Sequence, residues 1–415
     1  MFINIYDLYI KKVDSSIIEH YIVQIMNKSV KLSYGRHYVD QTDLKEIKNA
    51  LFSGYLSSGS YIKKFENLIK KKLKVNFVSV CNSGTSALHL AYLACNLKEN
   101  DIIILPAVNF VASANLAKLM KLKFYFADIE YNTGQISPRT INDCIKKNKI
   151  KKINAIVVMY MGGYPRNIKY FDHLKKKYKC FLIEDSCHAF GSKYKIGKKN
   201  FHIGSCKHSD ISTFSFHPLK TITTGEGGAV TTNKKFLNDR ILKFRSHGFI
   251  KKKNYWNYDL KFSGYNFRLS DISCALGISQ LIKIDKFISK RKKIFQNYFK
   301  KLDKYKNIVN LISPEINTSP SYHLIILQID FQNLKINKET LIKKLILSNI
   351  YCQYHYIPTY KFKSFNLFKR EKLRNSETYF KNSISIPIYF GLKIEEQNFI
   401  INKIKMIINK YARKY

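Results

Sequence analysis

The sequence has little that would support a metal centre or a disulfide-stabilised fold. Its eight cysteines form no Cys-x-x-Cys pair and no cluster with histidine at metal-ligand spacing. We therefore predict neither a metal site nor a disulfide framework, and isolated cysteines are typical of the reducing cytoplasm. The cysteines stand at Cys81, Cys95, Cys144, Cys180, Cys187, Cys206, Cys274 and Cys352.

Long hydrophobic runs are also missing. The longest apolar runs, such as residues 155–161, have the length of a strand and fall far short of the ~20 residues that span a membrane. Residues 1–13 contain an acidic residue, Asp7, and no apolar core followed by a small-residue cleavage site. We expect no signal peptide, no membrane partner and a cytoplasmic location.

Acidic side chains are scarce as well. The chain has 29 Asp and Glu against 72 Lys and Arg, which gives a formal net charge of +43. Such an excess often indicates a nucleic-acid partner, but here the lysines lie all along the chain and form no single basic stripe. Because the lysines are spread in this way, we predict no nucleic-acid partner. It favours anionic ligands, such as a phosphorylated cofactor and a nucleotide-linked substrate.

The order of apolar patterns predicts the architecture. From residue 77 onward, short β-rich runs alternate with helical patterns, which indicates βαβ units around a mostly parallel sheet. After about residue 243 the pattern changes to long amphipathic helices with a few strands, and no internal repeat is found. We predict an N-terminal extension over 1–32, a large α/β domain over 33–245 and a smaller α+β domain over 246–415.

Lys220 is the first candidate for a catalytic residue. It lies in an apolar stretch that ends in glycines, residues 214–228 (FSFHPLKTITTGEGG). A lysine is costly to bury unless its amine is used, and one common use is a covalent bond to a carbonyl or to pyridoxal phosphate (PLP). Taken alone, a solvated loop lysine is the commoner case. Three further motifs favour the catalytic interpretation.

The first of these motifs is a small turn between a strand and a helix, residues 81–88 (CNSGTSAL). Such a turn offers unpaired N–H groups and the positive end of a helix dipole to a phosphate, with Gly84 and Thr85 as candidate ligands. The same residues also suit a plain helix N-cap by Ser83. Ser215, five residues before Lys220, is a candidate second phosphate ligand.

The other two motifs also follow strands. In residues 183–189 (IEDSCHA), Asp185 could keep a pyridine nitrogen protonated, and His188 would lie near the phenolic oxygen of the cofactor. An Asp capping the next helix is the alternative. In residues 106–112 (PAVNFVA), Phe110 could stack on a heteroaromatic ring or be a core residue. The order of these motifs indicates a fold-type I PLP-dependent enzyme, related in fold to aspartate aminotransferase.

From about residue 34 to the C-terminus, the chain resembles the DegT-type nucleotide-sugar aminotransferases. The matching stretches are residues 214–228, residues 244–248 (FRSHG) and residues 265–271 (YNFRLSD). Within that family the chain is most similar to the members that act in pseudaminic acid synthesis. Residues 1–32 depart from the family pattern.

The resemblance implies a homodimer with shared active sites, in which Asn266 contacts the cofactor phosphate in the other subunit. It also implies transfer of an amino group from L-glutamate to C4 of a UDP-linked 4-keto-6-deoxy-N-acetylhexosamine. For residues 355–358 a strand edge ended by proline is the structural alternative. The substrate contacts implied by the resemblance are Tyr34, Gly54, Tyr55, Leu56, Ser57, His355, Tyr356, Ile357 and Pro358.

Other functions stay open at this point. A precursor of GDP-perosamine or of UDP-bacillosamine would need the same cofactor residues. A related branch of sugar 3-dehydratases carries histidine where Lys220 stands, so Lys220 argues against that branch. A regulatory or nucleic-acid-binding protein on the same fold would carry at least one broken cofactor position, and the sequence shows none.

Overall fold

The computed structural model describes residues 31–413 apart from 253, 255, 261 and 369–371. Most of the predicted N-terminal extension therefore lies outside the described residues. In chain order the strands are β1 (Leu32–Ser33), β2 (Phe77–Cys81), β3 (Ile102–Pro106), β4 (Lys123–Ala127), β5 (Ala155–Met159), β6 (Phe181–Asp185), β7 (Lys193–Ile196), β8 (Lys199–His202), β9 (Ile211–Ser215), β10 (Gly228–Thr232), β11 (Phe249–Lys251), β12 (Tyr258–Leu260), β13 (Val309–Leu311), β14 (Thr318–Ser319), β15 (Ile325–Ile329), β16 (Ile350–Tyr351) and β17 (Ser383–Ile386).

Twelve α-helices are described. They are α1 (Gln41–Leu51), α2 (Ser60–Leu73), α3 (Gly84–Ala94), α4 (Ala112–Leu119), α5 (Pro138–Lys147), α6 (Ile168–Tyr178), α7 (Lys235–Arg245), α8 (Asp271–Ile282), α9 (Ile284–Leu302), α10 (Lys338–Ile346), α11 (Arg374–Asn382) and α12 (Ile394–Tyr411). Within the described ranges, none of them is long and apolar enough to cross a membrane.

A seven-stranded sheet forms the centre of the structure, in the order β2-β10-β9-β6-β5-β3-β4. Its strands are parallel except β10, which runs antiparallel to both β2 and β9. Every residue of β5 (AIVVM) is buried, as expected for a strand covered on both faces. The predicted mostly parallel α/β sheet is confirmed.

Helices cover both faces of this sheet. Neighbouring residues of β5 belong to different buried clusters: Val157 packs with α3, α4 and α7, whereas Ile156 and Val158 pack with α2, α5 and α6. This alternation follows from the two-residue period of a strand. The predicted motifs follow the carboxyl ends of the parallel strands and therefore lie at one edge of the sheet.

The C-terminal part has its own antiparallel sheet, β13-β15-β17. It packs with the apolar faces of α9 and α12, and the predicted strands and long helices of this part are all present. The buried cluster that includes these elements also contains residues of the central sheet, such as Ile156. The domain boundary at 245/246 stays a prediction.

The matching stretch 265–271 ends in a structural carboxylate. Asp271 is fully buried, and its side chain accepts hydrogen bonds from the N–H groups of Gly59 (2.8 Å) and Tyr61 (3.0 Å) at the start of α2. Gly59 is the N-cap of α2 and has no side chain of its own to cap the helix. Asp271 therefore joins the starts of α2 and α8 and fixes the segment that precedes α2.

Candidate active site

A cavity of about 810 Å³ opens at the carboxyl edge of the central sheet. Its walls come from the turns that follow β2, β3, β6 and β9, together with residues 353–357 from the C-terminal part. The structure brings together here most of the residues that the sequence predicts to hold a cofactor: Gly84, Thr85, Phe110, Asp185, His188, Ser215 and Lys220.

Lys220 lies in the turn between β9 and β10. Its backbone N–H donates to the carbonyl of His217 (2.9 Å), and its side chain reaches the cavity. Desolvation by the surrounding walls lowers the pKa of the amine, while Cys187 and Asp185 nearby act in the opposite direction. A lowered pKa increases the fraction of neutral amine, which is the nucleophilic form.

Asp185 ends β6 and is only 3% exposed. Its carboxylate accepts hydrogen bonds from the side-chain amide of Asn109 (3.1 Å) and from the backbone N–H of Cys187 (3.3 Å). These two donors hold the carboxylate in one orientation. Such a group can keep a proton on a pyridine nitrogen. Sequence reasoning missed Asn109, although it lies next to Phe110 in the same motif.

The turn before α3 has both of the properties that the sequence left open: a helix N-cap at Ser83 and unpaired N–H groups that suit a phosphate. The Ser83 hydroxyl accepts a hydrogen bond from the N–H of Ser86 (3.0 Å), so Ser83 is the N-cap. The first-turn N–H groups of Gly84 and Thr85 have no partner within a helix, and Gly84 faces the cavity. A Cβ on Gly84 would lie 2.8 Å from the Cβ of Ser215, so the turn and Ser215 approach closely.

Phe110 is not a core residue, because 54% of its surface is exposed. Its ring borders the cavity at 6.0 Å from the ring of Tyr356, measured between centroids. One wall of the site is therefore aromatic and accessible to a flat ligand. The core alternative for Phe110 is wrong.

Three buried histidines lie behind the cavity. The ring of His188 lies 4.4 Å from that of His323 and 6.1 Å from that of His355, and each ring reaches the cavity wall. Burial lowers the pKa of all three, and the nearby Lys220 lowers each further, so these side chains are neutral at physiological pH. His323 gave no sequence signal, because it precedes a strand far along the chain.

The predicted substrate contacts divide into two groups. Tyr34, His355, Tyr356 and Ile357 line the cavity, and residues 355–358 form no strand, so the strand-edge alternative is wrong. Pro358 is buried beside the cavity without lining it. The second group is the segment Gly54, Tyr55, Leu56 and Ser57, which is exposed and does not line the cavity. Asn266 is also exposed and does not line the cavity.

Two polar residues at the cavity have no assigned role. His217 and Glu226 both line it, with 3.9 Å between His217 Nε2 and Glu226 Oε1. In the part of the chain that the structure describes, no group of three or more His, Cys, Asp or Glu side chains could hold a metal ion.

Comparison with known proteins agrees with this geometry. A transaminase of Campylobacter jejuni, named UDP-4-amino-4,6-dideoxy-N-acetyl-beta-L-altrosamine transaminase, is 37% identical over 387 residues, which is 92% of this chain and 99% of the relative. A GDP-perosamine synthase of Escherichia coli O157:H7 is 38% identical over 278 residues, 67% of this chain and 71% of the relative.

Solved structures give the same result. Helicobacter pylori PseC, an aminotransferase involved in the biosynthesis of pseudoaminic acid, superposes with a TM-score of 0.84 at 29% identity and covers 92% of this chain and 100% of its own. This agreement confirms the predicted fold class. Residues 37–405 match the sequence pattern of one aminotransferase family. The chain therefore belongs to the DegT/DnrJ/EryC1/StrS aminotransferase family.

Proposed function

We propose that this aminotransferase uses PLP to transfer the amino group of L-glutamate to C4 of a UDP-linked 4-keto-6-deoxy-N-acetylhexosamine. The product is a UDP-4-amino-4,6-dideoxy sugar for pseudaminic acid or a related surface glycan. The observation that carries the proposal is the single cavity that holds Lys220, Asp185 and the turn at Gly84 together. The Campylobacter relative, similar over nearly the whole chain, supports the choice of sugar.

The residues present fit PLP. The N–H groups before α3, with Ser215, suit its phosphate, and the absence of a side chain on Gly84 leaves room there. Asp185 suits the ring nitrogen, and Phe110 suits the ring face. When bound, PLP supplies an electron-withdrawing ring that stabilises negative charge on the carbon next to the transferred nitrogen.

Lys220 performs two tasks in this proposal. Its amine would hold the cofactor covalently, and the amino donor would displace it. The freed amine then takes the proton from the α-carbon of L-glutamate and returns a proton at C4 of the sugar in the second half of the cycle. Burial lowers the pKa of this amine, and a lowered pKa suits both tasks because only the neutral form of an amine bonds to a carbonyl or accepts a proton.

Asp185 would hold the cofactor in its active form. Its carboxylate, oriented by Asn109, would keep the ring nitrogen protonated. His188 is neutral and 2% exposed, so it acts through hydrogen bonds and not through charge.

We expect Gly84→Ala to weaken PLP binding by about 10- to 100-fold, because the added Cβ would overpack the contact with Ser215. Titration of the cofactor-free protein with PLP, followed by absorbance, measures the dissociation constant. The matched control is Gly391→Ala, where a Cβ would meet no atom within 4 Å. An unchanged PLP affinity in Gly84→Ala would show that this turn does not hold the phosphate.

We further propose a homodimer in which Asn266 serves the active site of the other subunit. The support is that Asn266 and the segment 54–57 are exposed and do not line the cavity of their own chain. Within that segment, Tyr55 (66% exposed) and Leu56 (53% exposed) present apolar surface. The proposed partners are the two substrates and a second copy of the chain. Cytoplasmic location and the lack of a nucleic-acid partner stay predictions.

Mixed dimers test the shared site. We expect Lys220→Ala and Asn266→Ala variants to have little activity when pure. After mixing and subunit exchange, each mixed dimer contains one site with both Lys220 and Asn266 intact, so activity should return. Light scattering on the mixture measures the oligomeric state. No recovery in a mixture that has exchanged subunits would place Asn266 outside the partner's site.

The sugar is tested by direct assay. The PLP-loaded enzyme is given L-glutamate and one of three 4-keto sugars: the UDP-linked precursor proposed here, the UDP-bacillosamine precursor or the GDP-perosamine precursor. Release of 2-oxoglutarate gives the rate, and NMR gives the configuration at C4 of the product. Preference for the GDP sugar would favour the second candidate, which the similarity to a perosamine synthase supports. No transfer to any of the three by a PLP-loaded enzyme would reject the proposal.

A further inference from the structure

A glycine turn lies directly behind His188. Gly162 (φ 67°) and Gly163 (φ 84°) both have the left-handed backbone conformation that favours glycine. A Cβ on Gly163 would collide with the hydroxyl of Ser321 and with the carbonyl oxygen of His188. The turn therefore packs backbone against backbone, as close to the histidine as the chain can approach.

Hydrogen bonds from two other segments fix the turn. The N–H of His323 donates to the carbonyl of Gly162 (2.9 Å), and the hydroxyl of Ser192 donates to the carbonyl of Gly163 (2.9 Å). In the turn held by these bonds, the backbone N–H of Gly162 donates to Nδ1 of His188 (3.3 Å). A backbone N–H can only donate, so it fixes Nδ1 as an acceptor.

This contact determines the tautomer of His188. A neutral imidazole has one donor and one acceptor nitrogen, so an accepting Nδ1 places the proton on Nε2. Nε2 lies 2.9 Å from the hydroxyl oxygen of Tyr356. His188 is therefore the donor in this bond and the oxygen of Tyr356 is the acceptor. The proton of Tyr356 is left for another partner.

No other side chain among the described residues is that partner. Tyr356 lines the cavity, and among the described residues its hydroxyl has no hydrogen bond besides the one with His188. Burial raises the pKa of Tyr356 and lowers that of His188, so both groups keep their protons in place over the working pH range. Gly162 therefore donates to His188, and His188 to Tyr356, over that whole pH range.

We propose that the chain Gly162, His188, Tyr356 makes the Tyr356 hydroxyl a one-way hydrogen-bond donor to an acceptor-only oxygen of the substrate. His188 is a positioning residue, since it acts through Tyr356. Ketone and carboxylate oxygens accept only, whereas sugar hydroxyls also donate. Within the substrates, the C4 ketone of the sugar and the carboxylates of L-glutamate carry such oxygens. A Tyr356 hydroxyl bound to the phenolic oxygen of the cofactor would instead affect both half-reactions equally, and that result would overturn the proposal. The assignment of substrates rests on the proposed function, but the tautomer does not.

The tautomer is tested on the cofactor-free protein. ¹⁵N-labelled histidine gives distinct NMR signals for protonated and unprotonated ring nitrogens, and His188→Gln identifies the signals of His188. We expect a protonated Nε2 and an unprotonated Nδ1. A proton on Nδ1 would overturn the proposal. This measurement needs no substrate, so its failure is distinct from a failure of the aminotransferase assay.

Kinetics test the donor. We expect Tyr356→Phe to slow one half-reaction by about 10- to 100-fold, the range for a lost hydrogen bond to a polar or charged group. Slowing with L-glutamate alone identifies a carboxylate as the acceptor, and slowing with the keto sugar identifies the ketone. Tyr170→Phe, on an exposed surface, is the control. Unchanged rates in both halves would overturn the proposal.

A pair of His188 variants separates positioning from packing. His188→Gln keeps a donor for Tyr356, whereas His188→Leu keeps bulk without one. We expect the Gln variant to slow the affected half-reaction less than the Leu variant does, and the Leu variant to slow it as much as Tyr356→Phe does. When His188→Leu and Tyr356→Phe are combined in one chain, the two effects should not add, because both remove the same contact. Full additivity, with thermal stability preserved, would overturn the positioning role.

Discussion

Lys220→Ala is expected to lower amino-group transfer by more than about 10⁴-fold, because general acid–base catalysis alone typically supplies up to that factor and Lys220 also binds the cofactor covalently. The variant should bind PLP without a covalent bond. Borohydride reduction followed by mass spectrometry measures this: the wild-type chain keeps the mass of the reduced cofactor on Lys220, and the variant loses it.

Lys220→Arg is the sharper companion to this variant. It keeps a positive charge in the same position, but a guanidinium stays protonated at neutral pH and cannot act as a nucleophile. We expect it to be as inactive as the alanine variant. Lys121→Ala, whose side chain is 72% exposed, controls for loss of one lysine. Activity above a hundredth of wild type in Lys220→Arg would show that charge, and not the free amine, is what the reaction needs.

Asp185→Asn should lower the turnover number by about 10³-fold, the order found when one preorganised electrostatic partner is removed from an active site. The amide is similar in shape and can still contact Asn109, but it carries no charge and cannot keep the ring nitrogen protonated. Covalent attachment of PLP to Lys220 should persist. This result would distinguish the two roles: Asp185→Asn loses turnover but keeps the covalent bond to PLP, whereas Lys220→Ala loses both.

Steady-state rates and the absorbance spectrum of the PLP-loaded Asp185→Asn variant measure both expectations. Asp259→Asn, at an exposed position, is the control for a change of one carboxylate. Because Asp185 is buried, thermal unfolding of each variant should be compared with that of the wild type. A stable Asp185→Asn protein with more than a tenth of the wild-type turnover would reject the proposed role.

The fold could be predicted where local pattern decides it. Apolar strands such as β5 alternate with amphipathic helices, and this alternation is enough to predict a mostly parallel sheet. The position of β10 between β2 and β9 could not be predicted. That placement depends on which strands meet after the whole chain has collapsed, and all three strands have similar composition.

The site could be predicted where a motif follows a strand. Asp185 and Lys220 lie in such motifs, and the edge of the sheet brings them together. His323 and Asn109 could not be predicted, because their positions depend on contacts with residues distant in the sequence. The roles of Tyr34 and of residues 355–358 came from family resemblance alone, since no local pattern distinguishes them from core or loop residues.

The antiparallel strand β10 has a consequence for the order of folding. Among the described strands of the central sheet, β2 pairs with β10 and with no other, and the two lie about 150 residues apart in the chain. During synthesis, β2 and the turn at Gly84 therefore have no sheet partner until Thr232 has left the ribosome. Contacts of this separation form slowly. Under the proposed function, uptake of PLP is then a late event, because it needs β2 and the turn at Gly84 in place within the completed sheet.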